Sequence, residues 1–247
     1  MKYELHLLCS CAIINLPKEN LHKEAICLNM KAAIFDMDGT LADSLRFWKL
    51  FWPAVGEKFL NNKDFMPTAA DDKRIRTFTM QETADLLHRT YHMGNSSEEV
   101  YQFADAMILD FYTNTVELKS GVKEFLAYCH DRGVKMCVAS ATAPDLIRVA
   151  LKRCGIEHYF LKLFSCSSFG KGKEHPDVFL AALAYLGEKP EETWVFEDSL
   201  TAIETVTKIG MPTVAIYDDY NFGQEEMRHI ATEYIASGQT LMRLVNV

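Results

Sequence analysis

The chain has 247 residues, 49% of them hydrophobic, and a formal net charge of −8. That is enough apolar material for one large α/β domain, or for a core carrying a smaller inserted domain, and it excludes wholesale disorder. The acidic balance disfavours a nucleic-acid partner, although a metal ion and a lysine can reverse the field inside one cleft, and no run of about 18 apolar residues offers a membrane span.

Residues 5–16 (LHLLCSCAIINL) have the apolarity of a signal-peptide core, but the flank is weak, with Glu4 close to Lys2, and no small-x-small cleavage site follows. Met30 stands directly before the first convincing strand, so residues 1–29 are set aside as an N-terminal extension or an over-called start. The cysteines at 9, 11, 27, 129, 137, 154 and 166 are odd in number, and no pair has CxxC spacing. Reduced, buried thiols in a cytoplasmic protein are the expectation, ahead of a disulfide framework or a zinc site.

Lys31-Ala32-Ala33-Ile34-Phe35 reads as a short buried strand running into an acidic, glycine-containing turn. From Ser44 to about Leu118 the pattern is helical. Thr79-x-x-Glu82 and Ser96-x-x-Glu99 are capping boxes that open two helices, with Gly94-Asn95 between them. Arg46, Phe47, Trp48 and Phe51 begin an earlier helix, with Phe47 and Phe51 one turn apart as its core pair. Beyond Gly121 strands and helices alternate: helix 121–131, strand 134–139, helix 144–154, strand 161–165, a loop rich in Gly and Lys at 170–175, helix 176–187, strand 193–196, helix 199–209 and strand 212–216. Short buried strands alternating with helices predict a doubly wound parallel sheet of Rossmann-like type, with residues 44–118 inserted as a helical cap on a core of 30–43 and 119–247.

Ligands of such a sheet bind at the carboxyl ends of its strands. The residues standing there are Asp36 and Asp38 after the first strand, Ser140 after the second, Lys173 ahead of helix 176–187, and Glu197-Asp198-Ser199 after the fourth. Taken singly, an Asp pair before a turn is ordinary turn chemistry, Ser140 is a helix cap and Lys173 a surface charge. Together they converge on one cleft, where clustered carboxylates call for a cation, and an oxygen-rich, partly hydrated site suits Mg²⁺.

With these residues in this order, the chain resembles a phosphatase of the haloacid dehalogenase superfamily, in the subfamily IA group that includes phosphatases and β-phosphoglucomutase and carries a helical cap between the first two motifs. The match runs over about residues 31–217 and rests on Asp36-Met-Asp38-Gly39-Thr40, Ser140, Lys173 in Gly172-Lys-Glu-His-Pro176-Asp177, and Glu197-Asp198-Ser199. The resemblance implies that Asp36 is the nucleophile, forming an aspartyl-phosphate, and that Asp38 is general acid and then general base. It implies Mg²⁺ held by Asp36, the backbone carbonyl of Asp38, Asp198 and Glu197, with Ser140 and Lys173 on the phosphoryl oxygens. Gly39 would permit the tight turn, and Thr40 would support it and bind phosphate. Ser44, Arg46, Trp48 and Arg76 are candidates for substrate contact, while His175 is read as an exposed loop residue.

Asp38 narrows the chemistry to phosphate esters, because dehalogenases and phosphonate-cleaving relatives need no acid there. The expected activity is hydrolysis of a small phosphorylated metabolite by a cytoplasmic monomer or weak dimer without a nucleic-acid or membrane partner. The alternative is a sugar phosphomutase of the β-phosphoglucomutase type. Those enzymes carry a His where this chain has Trp48 and an Arg where it has Met80, so the balance tilts to the phosphatase. A non-catalytic binding protein of the same fold is the third reading, and the intact acidic motifs oppose it. Ala202 occupies a packing position where relatives often have Gly.

Overall fold

The computed structural model describes residues 30–75 and 78–245. Among them six strands form one parallel sheet: β1 (Ala32–Phe35), β2 (Lys135–Ser140), β3 (Lys162–Ser165), β4 (Thr193–Glu197), β5 (Thr213–Ile216) and β6 (Glu233–Ile235), in the order β3-β2-β1-β4-β5-β6. Every residue of β1 and β4 is buried, which is why they read as continuous apolar runs rather than as alternating strands.

The pleat sends successive side chains to opposite faces. Ala33 and Phe35 of β1, Met136 and Val138 of β2 and Phe196 of β4 share one hydrophobic cluster with helices α5 (Val122–Asp131) and α6 (Pro144–Arg153). Ala32, Ile34, Cys137, Ala139 and Val195 point the other way, against α7 (Asp177–Leu186) and α8 (Leu200–Lys208). Phe35 stacks on Phe196 with ring centroids 4.4 Å apart and meets Phe125 edge-on at 6.3 Å. Ala202 is fully buried in α8, as expected of a packing position.

Between β1 and β2 the chain forms α1 (Phe47–Leu60), α2 (Ala69–Ile75), α3 (Met80–Tyr91) and α4 (Ser97–Asp110), the last continuing into a π-helical turn, Phe111–Thr115. The first capping box forms in full: Thr79 Oγ1 accepts from Glu82 N at 3.2 Å, and the Glu82 carboxylate accepts from Thr79 N at 2.7 Å. The second forms by half. Ser96 Oγ accepts from Glu99 N, but Glu99 Oε2 takes the backbone N–H of Asn95 at 2.8 Å in place of that of Ser96. Phe47, Phe51 and Trp52 are buried in the same hydrophobic cluster that covers the α5 and α6 face of the sheet, so insert and core share apolar packing.

The two linkers joining insert and core pair with each other. Asp43 N donates to Glu117 O and Lys119 N to Leu41 O, both at 2.9 Å, with an antiparallel bridge between Ala42 and Leu118. After β5 the structure adds α9 (Gln224–Ile230) and β6, which the sequence pattern does not announce. A three-residue edge strand is too short to show a period. Cys129, Cys137 and Cys166 are buried thiols not joined in disulfides and Cys154 is half-buried; Cys9, Cys11 and Cys27 lie outside the described residues, as does the whole 1–29 segment. No helix among the described residues is long and apolar enough to cross a membrane.

Candidate active site

β1 lies between β2 and β4, and the strand order reverses there: sequence-adjacent strands lead outward to β3 on one side, while β4, β5 and β6 fill the other. This is the switch point at which doubly wound sheets bind ligands. Asp36 leaves the end of β1 with its N–H on Phe196 O at 3.0 Å, and Glu197 ends β4 with Asp198 following. One ligand oxygen from each of Asp36, Glu197 and Asp198 lies within 4.8 Å of the others, and all three residues are buried. Lys173, on the loop ahead of α7, ion-pairs with both Asp36 Oδ1 and Glu197 Oε1.

Burial pushes the Asp36 carboxyl up to about 8; Lys173 opposes the rise, and Glu197 and Asp38 add to it. Burial, then Asp36 and Glu197, hold Asp198 well above the usual carboxylate range. For Lys173 burial opposes the charge, but the carboxylates of Asp36 and Glu197 outweigh it and hold the ammonium above its ordinary range. Three carboxylates against one ammonium leave an excess of negative charge in a desolvated place, which is costly unless a cation joins it. The all-oxygen donor set fits a hard divalent cation.

The turn after β1 brings its own backbone against this cluster. Gly39 has φ of +78°, and a Cβ there would lie 2.0 Å from Asp198 Oδ2, so only glycine fits. Thr40 is fully buried, and its Oγ1 donates to Asp198 Oδ1 at 3.4 Å. Its hydroxyl is turned to the acidic loop in this structure. From behind, the Asn221 side-chain amide donates to Asp198 Oδ2 and, at 3.1 Å, to Asp198 O. Asn221 belongs to the loop between β5 and α9, which is anchored by half-buried Lys119 Nζ on buried Asp218 Oδ2 at 2.8 Å.

Asp38 faces a different set of partners. Oδ1 accepts from Ser44 Oγ at 2.6 Å and from Tyr112 OH at 2.7 Å, and Oδ2 accepts from Thr142 Oγ1 at 2.6 Å. Its carboxylate stands apart from the three-carboxylate cluster. Ser140, the last residue of β2, is buried, and its Oγ accepts from Thr142 N at 3.1 Å, which leaves its O–H to donate.

The model of the haloacid dehalogenase-like hydrolase family matches residues 30–210. The chain belongs to this family. It is 25% identical over 185 residues to the phosphorylated carbohydrates phosphatase of Thermotoga maritima, covering 75% of this chain and 84% of the relative. It is 25% identical over 197 residues to the β-phosphoglucomutase of Bacillus subtilis, covering 76% and 83%. Among solved structures, CbbY from Rhodobacter sphaeroides in complex with phosphate shares the fold with a TM-score of 0.70 at 18% identity, over 83% of this chain and 93% of that one.

Within this haloacid dehalogenase-like hydrolase the four sequence motifs meet at one place, and the described insert residues expected to touch substrate have partners within the protein. Ser44 is buried and committed to Asp38. Arg46 lies at the linkers, paired with Glu117 at 3.2 Å and Asp43 at 3.5 Å. Trp48 stacks on Trp52 at 5.1 Å and meets Phe47 and Phe51 edge-on, so it packs the insert. Arg76 lies outside the described residues. His175 is exposed on its loop, as read. Tyr112, Thr142 and Asn221 were missed. Tyr112 and Asn221 sit in segments without a motif, and Thr142 is legible only as a hydroxyl two residues beyond Ser140.

Proposed function

We propose that the chain is a Mg²⁺-dependent phosphatase acting on a small phosphorylated metabolite of carbohydrate type, through an aspartyl-phosphate on Asp36. The observation that carries this reading is the buried cluster of Asp36, Glu197 and Asp198 at the switch point, ion-paired by Lys173. Both relatives named above take their names from phosphorylated carbohydrates or a sugar phosphate. Residues 44–118 would be the cap over this cleft, on a core of 30–43 and 119–247, and the buried reduced thiols fit a reducing cytoplasm.

Asp36, Glu197, Asp198 and the backbone carbonyl of Asp38 would hold the ion, which when bound offsets the repulsion between carboxylate nucleophile and phosphate. An Asp36 oxygen attacks phosphorus while the ester P–O bond breaks, and Asp38 gives its proton to the departing oxygen. Water then attacks the phosphorus of the aspartyl-phosphate, Asp38 takes the water's proton, and the Asp36–phosphorus bond breaks to release phosphate. Lys173 has three N–H donors, two of them on Asp36 and Glu197, which leaves one for a phosphoryl oxygen. The O–H of Ser140 takes another.

Phosphate release from a panel of sugar and polyol phosphates, with and without Mg²⁺, tests this. Metal-dependent turnover is expected, and Asp36→Asn should abolish it; unchanged turnover in that variant would remove Asp36 as nucleophile. Phosphorus NMR on β-glucose 1-phosphate separates the mutase reading, which requires conversion to the 6-phosphate without free phosphate.

A further inference from the structure

We propose that Tyr112 is a positioning residue for Asp38, fixing which carboxylate oxygen exchanges the proton with the ester. This rests on Asp38 being the general acid. Two hydroxyls, Ser44 Oγ at 2.6 Å and Tyr112 OH at 2.7 Å, converge on Oδ1, and one, Thr142 Oγ1 at 2.6 Å, reaches Oδ2. Each is a donor to the carboxylate in this arrangement. A proton on Oδ1 would need one of the two acceptor positions that Ser44 and Tyr112 fill, so one of these hydroxyls would have to turn. A proton on Oδ2 takes the position beside the Thr142 bond and displaces neither hydroxyl on Oδ1. Oδ1 is thereby the permanent acceptor and Oδ2 the oxygen that gives and takes the proton.

The origin of the two Oδ1 donors adds to the case. Ser44 is on the chain entering the helical insert, and Tyr112 is on the π-turn that ends α4 as the chain returns. The turn is closed by Val116 N donating to Phe111 O at 2.9 Å, and π-turns are frequent at functional sites. Phe111 packs on Phe47 within the insert at 5.5 Å, whereas the next residue, Tyr112, sends its hydroxyl 74 positions back along the chain to the catalytic loop. Tyr112 is 4% exposed, so this hydroxyl competes with little water. With donors from both ends of the insert, the orientation of the acid depends on the insert being in place.

When the ester bond breaks, the leaving oxygen takes the proton from Oδ2 and Oδ1 keeps both donors. When water attacks, its proton returns to Oδ2.

Tyr112→Phe keeps the ring and removes only the hydroxyl. The test compares benzyl phosphate, whose alkoxide needs a proton to leave, with 4-nitrophenyl phosphate, whose leaving group does not. For Tyr112→Phe, kcat on benzyl phosphate should fall about tenfold or more and on 4-nitrophenyl phosphate less than about twofold, with KM for both little changed. Ser44→Ala should show the same asymmetry. Asp38→Asn is the reference and should show a larger one. If Asp38→Asn slows both esters equally, the general-acid reading fails, and this proposal with it. If Asp38→Asn discriminates between them while Tyr112→Phe slows both equally or neither, the positioning role is overturned and the acid reading stands.

Discussion

At the scale of single residues the site is a problem in charge. Gathering Asp36, Glu197 and Asp198 in a buried place is costly, and Lys173 offsets part of their charge. The residues that hold Asp198 at its angle are as specific as the acidic cluster itself: Gly39, because any side chain would collide with it, Thr40 on one oxygen and Asn221 on the other. Groups that orient metal ligands commonly change affinity by about 10–100-fold when removed. Asn221→Ala is therefore expected to raise the Mg²⁺ concentration for half-maximal activity by about that factor, with kcat at saturating Mg²⁺ largely kept. A Mg²⁺ titration of activity measures it, and an unchanged midpoint would reduce Asn221 to a loop anchor. The motif residues were legible because their types and spacing are unusual together. Asn221 was not, since an Asn in a loop is commonplace and only its neighbour gives it a purpose.

Elements were legible to the degree that their sequence carries a period or a cap. β1 and β4 announce themselves as apolar runs, and α3 by Thr79 and Glu82. Thr79→Ala removes one half of a reciprocal cap and should cost about 1 kcal/mol, a fall of roughly 2–4 °C in thermal midpoint for a chain of this size. Ser96→Ala should cost less, because Glu99 is already engaged with Asn95 and no reciprocal bond is lost. Thermal melts of the two variants side by side would decide it; an equal loss would show that the Glu82 bond adds nothing. β6 and the π-turn escaped for opposite reasons. The first has three residues, too few for a pattern, and the second differs from α-helix by one backbone bond that no side chain advertises.

At the scale of the whole molecule, folding and the proposed metal binding would draw on the same carboxylates. Asp36 has its carboxyl raised from an ordinary 3.8 to about 8, with burial as the main cause, and Asp198 is raised too. An acid raised in the folded state binds more protons folded than unfolded between those two values. Its contribution to stability is full below about pH 4 and is lost as the pH climbs through about 8. A metal needs the charged carboxylates, so its stabilisation runs the other way. Metal-free protein should lose thermal stability from about pH 5 to about pH 8, and the rise in midpoint on adding Mg²⁺ should be larger at the higher pH. Melts at both values, with chelator and with Mg²⁺, check this; an equal Mg²⁺ shift at the two pH values would mean that the carboxylates are already ionised without metal.

The order of apolar runs and the acidic, hydroxyl and lysine positions after them already determined a parallel α/β core with a helical insertion and one convergent site, because strand ends and sheet topology leave few places for such residues to go. The tertiary structure decided which partners those residues have. Ser44 turns to Asp38, Arg46 to the linkers and Trp48 into the packing of the insert, while Tyr112, Thr142 and Asn221 arrive at the site from distant segments. A hydrogen bond between residues 74 or 104 positions apart depends on how the insert and the loops pack on the sheet, and local patterns do not encode that distance.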